Sequence, residues 1–214
     1  MDKKKQALSC IEALKGEYPD AVCSLDYGKD YELLFSTRLA AQCTDARVNI
    51  VTKDLYAKYP TLEAFADADI DELEEMVRPT GFFRMKARDL KAAARVILDD
   101  YGGKVPDTME ELLKIPGVGR KTANLVLGDI FGKPSYVCDT HCIRITNLLG
   151  LTKGTDPTKV EMQLREILPP DEAGNFCHRL VLHGRAVCVA RRPNCRECCM
   201  RSFCAHAAAE GFAD

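Results

Sequence analysis

Apolar residues recur at helical spacing along most of the chain. Within residues 87–98 they lie at i, i+3, i+4, i+7 and i+8, and they are Leu90, Ala93, Ala94, Ile97 and Leu98. This spacing places them on one face of a helix. No stretch alternates convincingly between apolar and polar residues as a half-buried strand does, and no Asn-Gly turn marks a hairpin. The pattern predicts an all-α fold with short loops.

Two further apolar faces come with start and stop signals. One follows Thr44-Asp45, a typical helix start, and consists of Val48, Val51 and Leu55. The other ends at Gly132 and Pro134 and consists of Ala123, Val126, Leu127 and Ile130. Thr108 and Glu111 have the spacing of a capping box ahead of Leu112-Leu113. These signals predict where three of the helices begin or end.

Composition is that of an ordinary globular protein, with 214 residues of which 46% are hydrophobic and 29% charged. No apolar run approaches the ~20 residues of a membrane span. No secretory leader is recognisable, because Met1 to Lys5 lead straight into a polar helix pattern. We therefore expect a protein of a reducing compartment without a membrane partner.

The formal net charge of −2 hides a segregated distribution. Residues 61–75 contain seven acidic residues and no basic one, whereas residues 177–204 contain six arginines and the single acid Glu197. Residues 114–153 contain six basic and two acidic residues. Two basic segments of this kind can attract a polyanion, although solvated helix faces explain the same pattern.

Four of the 11 cysteines are clustered, as Cys188-x6-Cys195-x2-Cys198-x5-Cys204. Zinc modules usually have two close pairs of ligands, and this loop has one Cys-x-x-Cys. Four thiolates at wider spacing suit a [4Fe–4S] cluster better. Zinc and free structural thiols stay open as alternatives. Cys199 directly follows Cys198 and is expected to point away.

A Gly-rich turn, Pro116-Gly117-Val118-Gly119, separates one predicted helix from the next. Its glycines allow a sharp turn, and its amides together with the next helix N-terminus form a phosphate site. No strand precedes the turn, so it is not a P-loop. The pattern is that of a helix–hairpin–helix, which grips the DNA backbone without contacting bases. A plain helix–helix corner is the alternative.

Lys121 and Asp139 are the candidate catalytic residues. Lys121 lies in the first helical turn beside Arg120, where the helix end and the neighbouring cation both disfavour a charged amine and so favour a nucleophile. A lysine that only binds phosphate or faces solvent is the alternative. Asp139 precedes a further helix pattern, and an N-cap role would explain it as well.

The motifs together resemble endonuclease III, the bifunctional member of the helix–hairpin–helix DNA glycosylases. The resemblance rests on Ile115–Asn124, Val137–His141, His183-Gly-Arg185 and the cysteine loop, and extends to Leu39–Asp45 and Gly81–Ala87. It implies two all-α domains with a cleft between them. A six-helix barrel with the helix–hairpin–helix would cover 23–133, and a discontinuous iron–sulfur domain would combine 1–22 with 134–214.

The resemblance also implies an activity, a partner and roles for single residues. The partner would be double-stranded DNA that contains damaged bases or abasic sites. Lys121 would attack C1′ of a damaged nucleotide flipped out of the stack, and Asp139 would assist this attack. The strand would then break 3′ to the abasic site by β-elimination. Gln42 would fill the gap in the stack and Phe82 would act as a wedge. The other expected DNA contacts are Pro116, Gly117, Val118, Gly119, Arg120, His141, Arg191 and Arg192.

The same resemblance implies a [4Fe–4S] cofactor on Cys188, Cys195, Cys198 and Cys204, and a monomer in the bacterial or archaeal cytoplasm with the nucleoid. Three departures stand out: Phe82 occupies a position that is commonly Leu, Ala40 replaces a frequent serine, and Cys138 is an unusual neighbour of Asp139.

Three other functions are alternatives to this one. The adenine glycosylase branch is disfavoured by Lys121 and by the end of the chain soon after Cys204. A non-catalytic iron–sulfur protein is disfavoured by the presence of both Lys121 and Asp139. A zinc DNA-binding module is the third.

Overall fold

The computed structural model describes residues 2–212, and this part of the chain is all-helical without a strand. The fold class predicted from the sequence is confirmed. The α-helices of the described part are α1 (Lys3–Glu17), α2 (Asp30–Leu39), α3 (Asp45–Lys58), α4 (Leu62–Asp67), α5 (Ile70–Val77), α6 (Phe83–Tyr101), α7 (Met109–Leu112), α8 (Arg120–Asp129), α9 (Thr140–Leu149), α10 (Pro157–Ile167), α11 (Ala173–Ala186) and α12 (Ala205–Ala209). Three 3₁₀ turns cover Arg78–Thr80, Cys195–Glu197 and Arg201–Phe203.

The chain divides into two compact units. One is continuous, Cys23–Phe131, and is called here the central unit. The other combines both chain ends, Met1–Val22 with Gly132–Asp214, and is called here the terminal unit.

The central unit is organised around the long helix α6, which packs against α4 and α5. The predicted apolar face of α6 is buried, with Leu98 half-buried at its edge. The helix is longer than the apolar pattern, since it begins at Phe83 and ends at Tyr101. An aromatic group completes the core, and Phe35 and Phe65 meet edge to face with ring centroids 4.9 Å apart.

The predicted helix boundaries are confirmed at the caps. Thr44 and Thr108 are the N-caps of α3 and α7, and their side chains accept hydrogen bonds from the backbone N–H groups of Arg47 and Glu111. Gly132 adopts a left-handed φ of 61° shortly after α8 ends. Local side-chain chemistry therefore sets these ends.

In the terminal unit, α1 packs against α10 and α11. Its buried face includes Cys10, Ile11 and Leu14. Gln6 Nε2 donates to the carbonyl oxygens of Leu149 (2.6 Å) and Phe203 (2.7 Å). The first helix is thus tied to residues near the end of the chain. Across residues 2–212, no helix is long and apolar enough to cross a membrane.

Candidate functional site

The Gly-rich turn connects α7 to α8 in the central unit. Its chain reverses tightly, with the Val118 N–H donating to the Ile115 carbonyl at 3.1 Å. Gly117 has a φ of 76°, the left-handed region that favours glycine. A Cβ on Gly117 would lie 2.9 Å from Asp89 Cβ and 3.0 Å from Arg38 Cδ. The turn is therefore seated directly against α2 and α6.

The N-terminus of α8 has free space around its N-cap residue. Gly119 is its N-cap and no side chain among the described residues caps it. A Cβ at Gly119 would meet nothing within 4 Å. The first backbone N–H groups of a helix lack intrahelical partners and favour anions, so this end can bind a phosphate.

Lys121 is the second residue of α8 and its side chain is exposed. Burial raises the pKa of the nearby Cys23 thiol to about 12. The positive charge of Lys121 acts in the opposite direction, because it favours the thiolate. The structure thus places an accessible primary amine one residue past the half-buried Arg120 at the positive end of a helix.

Gln42 and Phe82, the residues expected to enter the DNA stack, share an uncommon backbone conformation. Their φ angles are 56° and 48°, and among residues 2–212 they are the two non-glycine residues with positive φ. Both side chains are exposed, Phe82 to 60%. Strained backbone of this kind persists where the surrounding structure holds it, and it clusters at functional sites.

Asp139, the second candidate catalytic residue, is the N-cap of α9 in the terminal unit. Its Oδ1 accepts a hydrogen bond from the Cys142 N–H at 2.7 Å, and the side chain is half-buried. Asp139 therefore has the N-cap role that the sequence indicates. Lys121 and Asp139 belong to different units of the chain.

The other predicted DNA contacts in the terminal unit differ in exposure. Arg191 and Arg192 are exposed in the segment between Cys188 and Cys195. His141 is half-buried and packs closely on α11, since a Cβ on Gly184 would lie 2.4 Å from its Nδ1.

The four clustered cysteines line one cavity in the terminal unit. Its space not filled by atoms is about 350 Å³, part of it open to solvent. Apolar side chains such as Ile145, Leu149 and Val187 complete its wall. The lining cysteines are Cys188, Cys195, Cys198 and Cys204.

Two hydrogen-bonding side chains face these sulfurs. Arg144 Nη1 donates to Cys188 Sγ at 3.5 Å, and His183 Nε2 lies 3.3 Å from Cys198 Sγ. Burial lowers the pKa of His183 to about 4, so its ring is neutral near pH 7. Its Nδ1 lies 3.2 Å from the Tyr18 hydroxyl, which connects α1 to the cysteine loop.

Comparison with known proteins identifies the family. Residues 35–170 match the family described as HhH-GPD superfamily base excision DNA repair protein. The chain is 48% identical over 208 residues to endonuclease III of Synechocystis sp., covering 97% of this chain and 95% of that protein. With Bacillus subtilis endonuclease III the identity is 39% over 201 residues, which are 94% and 92% of the two chains. The chain belongs to the endonuclease III family.

Solved structures of endonuclease III match over the same length. A non-covalent endonuclease III–DNA complex superimposes with a TM-score of 0.92 at 38% identity, covering 99% of both chains. A trapped endonuclease III–DNA covalent intermediate superimposes with the same TM-score and identity, covering 99% of this chain and 100% of the other.

Membership of the endonuclease III family suggests a metal cluster, and the cysteine cavity fits one. Burial, together with the neighbouring charges of Cys199, Cys188 and Cys204, raises the pKa of Cys198 to about 12. Four thiolates can therefore share this site when positive charge compensates them. Among the described residues, no group of three or more His, Cys, Asp or Glu is arranged to hold a metal ion. Cys188, Cys195, Cys198 and Cys204 are the residues that would hold the group, because all four line the same cavity.

Several residues of this endonuclease III-family site had no signal in the sequence. Arg38 and Asp89 form an ion pair at 2.6 Å although 51 residues separate them. Lys86, 47 residues from one of its two carbonyl partners, is completely buried. Such contacts depend on tertiary packing, and the spacing of residues along the sequence does not predict them.

Proposed function

We propose that the chain is a bifunctional base-excision-repair enzyme, a DNA glycosylase and AP lyase that removes oxidised pyrimidines from double-stranded DNA. The observation that carries this proposal is the exposed Lys121 amine in the first turn of the helix after the hairpin. A relative of the same fold has been trapped as a covalent intermediate with DNA. An amine at this place can form such a bond.

The amine performs two bond-breaking steps in succession. Lys121 Nζ attacks C1′ of the flipped nucleotide, and the glycosidic electron pair leaves with the base, which takes up a proton. Loss of the amine protons and opening of the sugar ring give an imine between Nζ and C1′. Removal of a C2′ proton then expels the 3′ phosphate, and water releases Lys121.

Asp139 supplies negative charge and a proton acceptor. Its carboxylate assists loss of the proton from the attacking amine and stabilises the positive charge that develops on the sugar. The α9 cap holds the carboxylate in one orientation through Oδ1. A single residue thus serves both the helix and the reaction.

The hairpin and two loops hold the DNA. The backbone of Pro116–Gly119 and the open start of α8 bind phosphates, and Arg120, His141, Arg191 and Arg192 add contacts. Gln42 occupies the gap left by the flipped nucleotide, and Phe82 inserts beside the opposite strand. Phe82 is bulkier than the common leucine and can stack, which alters the preference for the opposite base.

The four cavity cysteines hold a [4Fe–4S] cluster. When bound, the cluster would link the segment from Cys188 to Cys204 through these four thiolates and would take no part in breaking bonds. Arg191 and Arg192 lie within this segment, so the cluster shapes a basic loop for DNA. The enzyme acts as a monomer with the nucleoid in the cytoplasm.

Borohydride trapping on a duplex with one abasic site tests the proposal. The wild-type protein and Lys104→Gln, which changes an exposed lysine of the central unit, should both form a covalent adduct. Lys121→Gln should form none. An adduct with Lys121→Gln would show that the nucleophile lies elsewhere.

A panel of duplexes with single defined lesions tests the substrate class. Cleavage of abasic and thymine-glycol DNA is expected, and failure on both would overturn the function. An adenine glycosylase without lyase activity, or a non-catalytic iron–sulfur protein, would form no adduct. A brown protein that absorbs near ~400 nm would exclude a zinc module, since zinc is d¹⁰ and colourless.

A further inference from the structure

Lys86 is a charged residue inside the central unit, in the first turns of α6. Its relative exposure is 0%. Its Nζ donates to the carbonyl oxygens of Leu39 (2.8 Å) and Thr80 (2.7 Å). Lysines are almost never fully buried unless partnered, because desolvation of the ammonium is costly. Burial accordingly lowers the pKa of Lys86.

Both carbonyl partners stand at helix ends. Leu39 is the last residue of α2, and Thr80 is the last residue of the 3₁₀ turn before α6. Carbonyls at helix C-termini lack intrahelical partners and favour a cation. One ammonium therefore satisfies two helix ends that are far apart in sequence.

Each of these ends opens into a loop with a strained residue. Gln42 follows Leu39 by three positions, and Phe82 follows Thr80 by two. Both have left-handed φ angles, which are strained in residues other than glycine and need support from their surroundings. The Lys86 ammonium is a shared anchor for the two loops.

We propose that Lys86 is a positioning residue that holds the Gln42 and Phe82 loops at a fixed spacing, so that both side chains enter damaged duplex DNA together. This inference rests on the proposed function, because the two loops matter only if the protein opens a duplex. Lys86 is buried and does not contact the substrate itself.

The role should depend on the second DNA strand. Only a duplex has a gap in the base stack for Gln42 to fill and an opposite strand beside which Phe82 can insert. Cleavage at an abasic site in single-stranded DNA requires the hairpin, Lys121 and Asp139, and it does not require Gln42 or Phe82. Loss of the anchor should therefore affect the two substrates differently, whereas general destabilisation would affect them equally.

Lys86→Met is the test variant, since Met fills much of the volume without charge or donors. Lys91→Met is the matched control, because Lys91 lies on the same helix and donates to the carbonyl of Ala68, outside both loops. Single-turnover strand cleavage is measured on abasic duplex and on abasic single strand. We expect Lys86→Met to lose on the order of 10- to 100-fold on the duplex and far less on the single strand. Lys91→Met should resemble wild type on both.

Two further measurements separate positioning from stability. The rate ratio for a lesion opposite guanine and opposite adenine should approach one in Lys86→Met. Phe82→Ala should slow the wild-type enzyme on duplex but add little to Lys86→Met, because coupled residues are not additive. Losses that multiply, or equal losses on both substrates, would overturn the proposal.

The same experiments distinguish a failure of the proposed function from a failure of the positioning role. A wild-type protein that neither cleaves abasic DNA nor forms a borohydride adduct contradicts the enzyme itself. An active wild type with an unimpaired Lys86→Met contradicts only the positioning role. If Lys86→Met does not fold, Lys86→Gln carries the same test, because its amide can donate to one carbonyl and should give a smaller selective loss on the duplex.

Discussion

Arg38 and Asp89 form an ion pair, with Nε and Oδ2 2.6 Å apart, and Gly117 of the hairpin packs directly against both side chains. Both side chains are largely buried, at 14% and 23% exposure. They connect the end of α2 to α6 and leave room at Gly117 for a glycine but not for a Cβ. The Gly-rich turn is therefore fixed by packing as well as by its own sequence.

Gly117→Ala should displace the hairpin. The new Cβ would clash with Asp89 and Arg38, and the left-handed φ would be strained. We expect a loss of about 1–3 kcal/mol in the free energy of unfolding, measured with urea, and weaker binding to undamaged duplex. Gly119→Ala is the control for stability, because its φ is −99° and its surroundings are open. Equal destabilisation by both would contradict the packing argument.

Substitutions of Asp139 can separate its two roles. Asn can still accept the Cys142 N–H, whereas Ala removes the cap and should cost about 1 kcal/mol of stability. Both variants lack the carboxylate, so both should lose on the order of 10²- to 10⁴-fold in single-turnover base release. Thermal unfolding and kinetics measured on the same samples provide the comparison. Full activity in Asp139→Asn would show that only the cap matters.

Cys204→Ser should prevent stable loading of the cluster. The variant should lack absorbance near ~400 nm and contain less iron than wild type. It should also unfold at lower temperature, because a bound metal centre stabilises the folded state. Cys199→Ser is the matched control, since Cys199 is not among the residues that line the cavity. If the two serine variants held the same amount of iron, the ligand assignment would fail.

Cys23 should make the protein sensitive to high pH. Burial raises the pKa of its thiol from 9.0 to about 12, so the folded state holds the proton more tightly than the unfolded state. Its contribution to stability is complete below pH 9 and is lost as the pH rises toward 12. The urea midpoint should fall more steeply between pH 9 and 11 in wild type than in Cys23→Ala. Parallel curves would show that the thiol does not contribute.

The helices and their caps could be predicted because their determinants lie within a few residues of each other. Thr44, Thr108 and Asp139 cap the helices that follow them, as the sequence indicated. The Gly117 turn was predicted for the same reason.

The supports beneath the candidate site could not be predicted. Lysine is a residue type that is usually exposed. Only the folded chain brings the carbonyl oxygens of Leu39 and Thr80 to the Lys86 ammonium. The hydrogen bond between His183 and Cys198 likewise depends on how α11 packs beside the cysteine loop. Periodicity and spacing carry no information about such long-range polar contacts.

The pairing of Gln6 with the carbonyls of Leu149 and Phe203 has a consequence for biosynthesis. The ribosome delivers α1 first and the cysteine loop last. The partners of α1 do not exist until nearly the whole chain has been made, whereas the central unit can fold while the rest is still being translated. The apolar face of α1 therefore stays uncovered during translation until α10 and α11 have been made.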